Sequence, residues 1–434
     1  MDLLRALDQF LAENVKGVSV DAEAVLAHVI RPPSFYGASS VRATAESKVL
    51  FKPGPPGLEP YYLDVSAFEV ALDNALKDGV AGYVAQLRQS GQILFTNAWQ
   101  YAKRPQDGGE LWTPDVQMHV ASVSKLMTAM AMMVLFRDND ISPDTQIIEY
   151  LPDYWVKGPN IQYIVFRNLF NHTSGLSAND LVDFEIMKSA IAGGINLDDL
   201  GQYNYQNLNY ALCRMLLAVI NGNINKDAYF DPLPFLGFPF PSQLWNDNLW
   251  DLVTIAAYEA YLQAEVFRPS GVVGATLDHP PACALAYRGT GDTEPGWNSG
   301  SLQESCGCDG WHLSVNQLLD VMGEFRRGGG ILTPAAAQAM LDNGFGVDPL
   351  YGNSALPAAL ATPAGNVYCK PGDWHDPKYQ DEQSLAFFLP EDMELVVLVN
   401  SMVDGQTGPP NNYFRQVVKQ AYLDNLTTQL PIHL

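Results

Sequence analysis

The sequence predicts an α+β fold. It is a three-layer α/β/α arrangement, with an antiparallel sheet built from both ends of the chain and a mostly helical segment inserted between them. Three observations carry this expectation. Ala81–Arg88 and Gln92–Ala98 read as two strands around the turn Gln89-Ser90-Gly91. Leu385–Leu389 and Leu395–Val399 form a second pair around Pro390-Glu391-Asp392. Its last run is almost wholly apolar, as a strand covered on both faces should be. Between the two pairs, apolar residues recur at helical spacing.

The elements follow in order. Leu3, Leu4, Leu7, Phe10 and Leu11 share one helical face, which predicts an amphipathic helix over 2–13. A second helix is expected near Asp21–Val29. Pro32-Pro33 and Pro53-Gly54-Pro55-Pro56-Gly57 then punctuate a loop-rich passage. Residues 1–64 thus read as an N-terminal extension to a main domain over 65–434. The extension is either a packing arm or an oligomer contact, so a homo-oligomer stays open. Val65–Lys77 reads as a helix before the first strand pair. A loop with Pro105 and Gly108-Gly109 leads to an apolar run, Leu126–Phe136, without Gly or Pro. That run predicts a buried helix and opens a helical subdomain of about 126–290. Asn207–Ile220 and Val253–Val266 are further helices within it. Across 222–250, Tyr229, Phe230, Phe235, Phe238, Phe240, Trp245 and Trp250 alternate with four prolines. So long a loop reads either as a lid or as an irregular apolar subcore. Ser314–Phe325, Pro334–Leu341 and 412–424 complete the helices.

Composition narrows the function classes. The 434 residues are 47% hydrophobic and 17% charged, as in globular chains. No apolar run reaches about 18 residues, so no membrane-spanning helix is expected. The net charge of -23 argues against nucleic acid and anionic membranes as partners. Met1–Arg5 shows no basic region ahead of an apolar stretch. A cytoplasmic location is expected, or a secreted or periplasmic one where a signal peptide has been removed. The five cysteines are odd in number and sparse, so reduced thiols are expected. Cys306-x-Cys308 with nearby His312 lacks a second ligand pair, so neither metal nor cofactor is expected.

Three short motifs could carry chemistry. Ser122 stands three residues before Lys125, at the start of the buried helix. One helical turn would put both side chains on one face. A serine hydroxyl needs such a neighbour to become a nucleophile, and a helix start offers free N–H groups to an oxyanion. For the bare motif, an N-cap serine and a surface lysine are the readier reading. The second motif is Tyr205-Gln206-Asn207. A phenol acts as general base only where cations favour the phenolate. Core aromatics are the competing reading. The third is Lys370-Pro371-Gly372, where the glycine lets another backbone approach.

Their order and spacing resemble the serine β-lactamase and penicillin-recognising family. The likeness is to its branch of class C β-lactamases, D-alanyl-D-alanine carboxypeptidases and related esterases. Ser122-Val123-Ser124-Lys125 matches the family's Ser-x-x-Lys, and Tyr205-Gln206-Asn207 its Tyr-x-Asn. Lys370-Pro371-Gly372 stands where the family has Lys-Thr-Gly or His-x-Gly, ahead of an apolar strand ending in Asn400. Leu169–Leu176 is similar to its "LLxHTSGL" segment, and Val266–Gly271 to its "IFxPLG" helix end. The resemblance covers about 65–425.

The resemblance implies roles. Ser122 would be acylated. Lys125 would hold Ser122 and Tyr205 in their reactive protonation states. Tyr205 would act as general base and then as acid, and Asn207 would orient Lys125 or the substrate. Lys370 would line the pocket and favour the phenolate. The N–H groups of Ser122 and Asp373, just past Gly372, would hold the oxyanion. His172 and Ser174 would be scaffold. Two departures matter. Pro371 removes a hydroxyl that in the family helps bind a substrate carboxylate, and Trp374-His375-Asp376-Pro377 lengthens the stretch before the hairpin. A lost carboxylate anchor favours an esterase or amidase acting on a small-molecule ester or amide with an apolar acyl group. Acyl transfer, a D-amino-acid peptidase, a β-lactamase and a non-catalytic binding protein are the alternatives.

Overall fold

The computed structural model describes residues 3–28, 61–178, 182–232, 242–349, 359–406 and 412–428. The proline-rich passage expected after the second N-terminal helix lies outside them. So does the 233–241 part of the candidate lid. By internal contacts the chain divides into two units.

One unit holds the sheet. Among the described residues it comprises 61–126, 269–301, 309–349 and the remainder to 428. Its chain starts with a two-residue strand β1 (Tyr62–Leu63) and helix α3 (Val65–Leu76). The N-terminal helices α1 (Leu3–Asn14) and α2 (Ala22–His28) belong to the other unit. Strands β2 (Gly82–Gln89), β3 (Gln92–Lys103) and β4 (Glu110–Leu111) follow, then β5 (Met118–His119). Later come β6 (His312–Leu313), α9 (Val315–Gly323) and α10 (Pro334–Asp342). The chain closes with β7 (Leu360–Thr362), β8 (Gly365–His375), β9 (Asp381–Leu389), β10 (Met393–Val399), α11 (Asn412–Asp424) and β11 (Leu426–Thr427). The main sheet is seven-stranded and antiparallel throughout, in the order β4-β3-β2-β10-β9-β8-β7. It is thus built from both ends of the chain, as the sequence predicts. β10 pairs Val397 with Ala85 on one side and with Leu385 on the other, which explains its uniform apolarity.

Helices cover both faces of this sheet. Phe68, Leu72 and Leu76 of α3 and Phe414, Val418 and Tyr422 of α11 join Tyr83, Leu87, Leu385, Phe387, Val397 and Val399 in one buried cluster. Each such side chain contributes about 1.5–3 kcal/mol when fully buried. α3 starts where Asp64 accepts the Ala67 N–H, an N-cap bond. α9 lies on the opposite face, against β10 and β2. There Arg88 reaches Asp320 at 2.5 Å and Asn316 at 2.7 Å. At the end of β10, Asn400 donates to the carbonyls of Tyr101 and Leu285.

The other unit is helical and comprises 3–28, 127–232, 242–268 and 302–308 among the described residues. It holds most of α4 (Ser124–Asn139), with α5 (Phe166–Phe170), α6 (Phe184–Gly193), α7 (Asn207–Ile220) and α8 (Ser242–Leu262). α4 is buried all round from Ser124 to Met132, as expected for an apolar helix without a polar face. α7 and α8 pack together, joined by a buried Arg214–Asp251 pair at 2.7 Å. α1 and α2 pack within the same unit. Phe10 meets Phe230 with ring centroids 5.3 Å apart, and the Lys16 N–H donates to the Asn223 carbonyl. One expectation is corrected here. Residues 242–250 are not loop but the first turns of α8, with Trp245 and Trp250 buried. The prolines stop at Pro241, and the tryptophans beyond it are free to take helical spacing.

Candidate active site

Ser122 sits on a tight 3-10 turn, Ala121–Val123, which runs straight into α4. The ammonium of Lys125, wholly buried, donates to Ser122 Oγ at 2.8 Å. The turn is fixed from several sides. Val120 N–H donates to the Trp311 carbonyl at 2.9 Å, and Trp311 N–H returns to Ser124 Oγ at 3.2 Å. Gly310 N–H donates to His119 Nε2 at 3.1 Å. Ala121 has φ 45°, the left-handed region that costs a residue with a Cβ about 1–2 kcal/mol. A strained residue next to a nucleophile, overdetermined by its surroundings, is a common mark of a functional turn.

Gly372 meets this turn directly. A Cβ built on it would lie 2.4 Å from the Val120 carbonyl oxygen, 2.4 Å from Ser384 Oγ and 3.0 Å from Ser122 N. Only a glycine lets β8 come this close to the backbone of Ser122. Ser384, opposite Gly372 on β9, donates to the same Val120 carbonyl at 2.7 Å. Among the described residues, β7 pairs with β8 only over Gly365–Val367, so the Lys370–Asp373 stretch forms the sheet edge apart from an Asp348–Cys369 bridge. An open strand edge offers backbone donors and acceptors to a substrate.

Lys370 and Asp373 behave differently. Lys370 is 1% exposed, and its ammonium donates to Asp348 Oδ1 at 2.6 Å. Its charge is therefore balanced by a carboxylate that the sequence did not flag. The Asp373 side chain lies on the opposite face of β8 from Gly372, 3.5 Å from His375 Nδ1. The extra residues Trp374–Pro377 prolong β8 to His375 and form the turn before β9. Trp374 meets the His119 ring edge-on at 5.8 Å. His119 is fully buried and held neutral. Burial lowers it to about 4, with Lys125 acting in the same direction and Asp309 against it. Its Nδ1 lies 3.2 Å from Glu382 Oε2, and burial holds the Glu382 carboxyl well above its usual range. The pair is a neutral hydrogen bond rather than an ion pair.

Tyr205 and Asn207 lie in the helical unit. Asn207 is the first residue of α7, and Tyr205 stands in the loop before it, 36% exposed. The Tyr205 ring lies against the His172 ring, centroids 4.3 Å apart and 32° from parallel. His172, at φ 53°, binds the same loop through its backbone and its ring. Its carbonyl accepts the Asn204 N–H at 2.8 Å, and Nδ1 accepts the Gln206 N–H at 3.2 Å. Because Nδ1 accepts, the proton sits on Nε2. Ser174 Oγ donates to Asn209 Oδ1 at 2.6 Å, tying the loop to α7. His172 was expected to be plain scaffold, and it is the residue against which the Tyr205 ring rests.

The structure thus brings Ser122, Lys125 and Gly372 together within the sheet unit, and Tyr205, Asn207 and His172 within the helical one. Ala121, Ser384 and Asp348 are additions. Nothing in the sequence marked Asp348, but His172 was available from the "LLxHTSGL" likeness. All five cysteines are free and buried. Cys306 lies 4.0 Å from an Arg214 nitrogen, and Cys308 donates to the Ser305 carbonyl.

This fold is similar to that of serine β-lactamase-like proteins. Residues 68–233 match the Beta-lactamase family model. Among curated proteins, the chain is 23% identical over 226 residues to PbpX of Bacillus subtilis, which carries the name of a penicillin-binding protein. That match covers 50% of this chain and 48% of PbpX, so it spans about half the length of that relative. Among solved structures, a class C β-lactamase from Rhodobacter sphaeroides superposes with TM-score 0.58 at 16% identity, over 82% of this chain and 98% of the other. EstCE1, described as a hydrolase with promiscuous acyltransferase activity, superposes with TM-score 0.55 at 17% identity, over 82% and 99%. The family match covers under half of the chain, and the solved structures, all below 25% identity, share its fold.

Proposed function

We propose that the chain forms an acyl-enzyme on Ser122 and hydrolyses carboxylic esters or amides with a fairly apolar acyl group. The observation that carries this reading is the 2.8 Å contact between Lys125 Nζ and Ser122 Oγ, on a turn pressed against Gly372. Ser122 Oγ attacks the carbonyl carbon and its proton passes to Tyr205, acting as phenolate. The backbone N–H groups of Ser122 and Asp373 hold the oxyanion. The C–O or C–N bond then breaks, and Tyr205 returns the proton to the leaving group. Water repeats the sequence on the acyl-enzyme and frees Ser122. Lys125 keeps the two hydroxyl groups in their working protonation states, and Asn207 orients Lys125 or the substrate.

The preference for neutral substrates rests on two features. Pro371 offers no hydroxyl to a carboxylate, and the Lys370 charge is already engaged by Asp348. The test is mass spectrometry after a fluorophosphonate probe, with a panel of p-nitrophenyl esters, nitrocefin and D-alanyl peptides. The expected outcome is a single adduct on Ser122 and turnover that favours esters over both charged substrates. A Ser122→Ala variant with undiminished turnover would overturn the mechanism, and a preference for nitrocefin would overturn the substrate class. Acyl transfer is the second reading, suggested by the activity named for EstCE1. It predicts that added alcohols divert ester turnover into a new ester rather than free acid.

A further inference from the structure

A cluster in the sheet unit has no part in that chemistry. His279, Cys283 and His312 bring one ring nitrogen each and one sulfur to within 4.8 Å of one another. His312 is wholly buried. Its Nδ1 lies 3.3 Å from the Thr276 carbonyl oxygen, which can only accept, so Nδ1 carries the proton. The lone pair is then on Nε2, and that atom is buried with no hydrogen-bond partner. His279 Nδ1 is likewise buried and without a partner. The two rings stand nearly perpendicular, 89° apart, with centroids at 5.5 Å. A buried polar nitrogen without a partner costs about 1–3 kcal/mol, and two of them on rings clustered with one thiol need a reason.

We propose that His279, Cys283 and His312 bind one divalent transition-metal ion of the borderline class, with zinc as its natural occupant. Two imidazoles and a thiolate are a zinc-type ligand set, and the fourth position is left to water or an anion. The Nδ1–H bond from His312 to a backbone carbonyl is the usual way a ligating imidazole is oriented. The backbone already holds the three residues near one another. His312 N–H donates to the Thr276 carbonyl at 2.8 Å, His279 N–H to the Gly300 carbonyl at 3.1 Å, and Cys283 N–H to the Pro280 carbonyl at 2.9 Å. Tetrahedral zinc needs ligand atoms about 3.5 Å apart, so side-chain movements of about 1 Å close the site. Cys283 Sγ now donates to the Gln117 carbonyl at 3.1 Å. On binding, the S–H bond breaks, sulfur keeps the electron pair for the metal, and one proton leaves to solvent. The ion would tie the 276–283 segment to β6, whose His312 pairs with His119 on β5, just ahead of the Ser122 turn. Its role would be to brace that turn.

Cobalt(II) is the probe, titrated into metal-stripped full-length protein and followed by absorption. The expected result is saturation at one ion per chain, a thiolate-to-cobalt charge-transfer band, and visible bands of tetrahedral intensity. Zinc should displace the cobalt and raise the melting temperature. Cys283→Ser should remove the charge-transfer band. His279→Gln, at a half-buried position less prone to misfolding, should weaken cobalt binding by at least about tenfold with an unchanged circular dichroism spectrum. A charge-transfer band that survives Cys283→Ser, unchanged affinity in His279→Gln, or no saturable binding to the wild type would each overturn the assignment.

Discussion

Around Ser122 the constraints are steric, and around Tyr205 they are polar and aromatic. The Ser122 turn is wedged between β8 and the Trp311 backbone, with Gly372 leaving no room for a methyl group. The restraints on the Tyr205 loop include hydrogen bonds from the Asn204 and Gln206 N–H groups to His172, one from the Ala178 N–H to Gln206 Oε1, and the tilted contact of the Tyr205 and His172 rings. Packed backbone resists displacement steeply, whereas a stacked and hydrogen-bonded loop yields by degrees. Substitutions on the first side should therefore act nearly all-or-none, and those on the second should be graded.

The sharpest test of the steric side is Gly372→Ala. The new methyl group must push back the Val120 carbonyl, Ser384 Oγ or the Ser122 backbone. Ester turnover should fall on the order of 10³-fold as the oxyanion donors separate. Overpacking should cost roughly 1–3 kcal/mol in urea denaturation. Near-normal kcat with unchanged stability would mean that Gly372 does not set the geometry of Ser122.

On the graded side, Tyr205→Phe removes the phenol and keeps the ring. Turnover should fall on the order of 10²-fold, as for loss of a general base. His172→Ala removes the stack and a hydrogen-bond acceptor but leaves the phenol, so the loss should be nearer tenfold. The pH–rate profile separates the two, because only Tyr205→Phe should abolish the limb on which rate rises with pH as the phenolate forms. Equal losses with identical profiles would erase the distinction drawn between these regions.

This contrast also explains what could be read in the sequence. Strands β2, β3, β9 and β10 were legible because alternation and unbroken apolar runs report burial directly. The short motifs at Ser122, Tyr205 and Gly372 could be picked out as candidates because each is compact and they follow in order along the chain. Asp348 was not legible, since its pairing with Lys370 joins residues 22 positions apart across a segment without periodicity. Ala121 was not, because alanine carries no sign of a left-handed conformation. The start of α8 was misread because Pro232, Pro234, Pro239 and Pro241 masked the helical spacing of the tryptophans just beyond them.

Asp348 gives the next test. Asp348→Asn leaves the buried Lys370 ammonium without its carboxylate and should cost about 3 kcal/mol or more of stability. The double variant Asp348→Asn/Lys370→Met removes both charges and should regain most of that loss. If the single variant is as stable as the wild type, Lys370 has another sink for its charge, and the argument for neutral substrates weakens.

The smallest effect expected is a slope with pH. Burial holds Glu382 protonated in the folded chain well above 4.5, its ordinary value, while the unfolded chain releases that proton near 4.5. Above 4.5 and below the folded value, unfolding therefore releases a proton, and stability declines by about 1.4 kcal/mol per pH unit. Glu382→Gln has no proton to lose and keeps an acceptor for the His119 Nδ1–H. His119 works in the opposite direction, since it is neutral when folded above about 4 and takes up a proton on unfolding below 6.5. That contribution is common to both proteins and cancels in their difference. The stability of Glu382→Gln relative to wild type, from urea denaturation at pH 5, 6 and 7, should then rise with pH. A flat difference would mean that Glu382 is ionised in the folded chain, and that the hydrogen bond beneath the Ser122 turn is an ion pair after all.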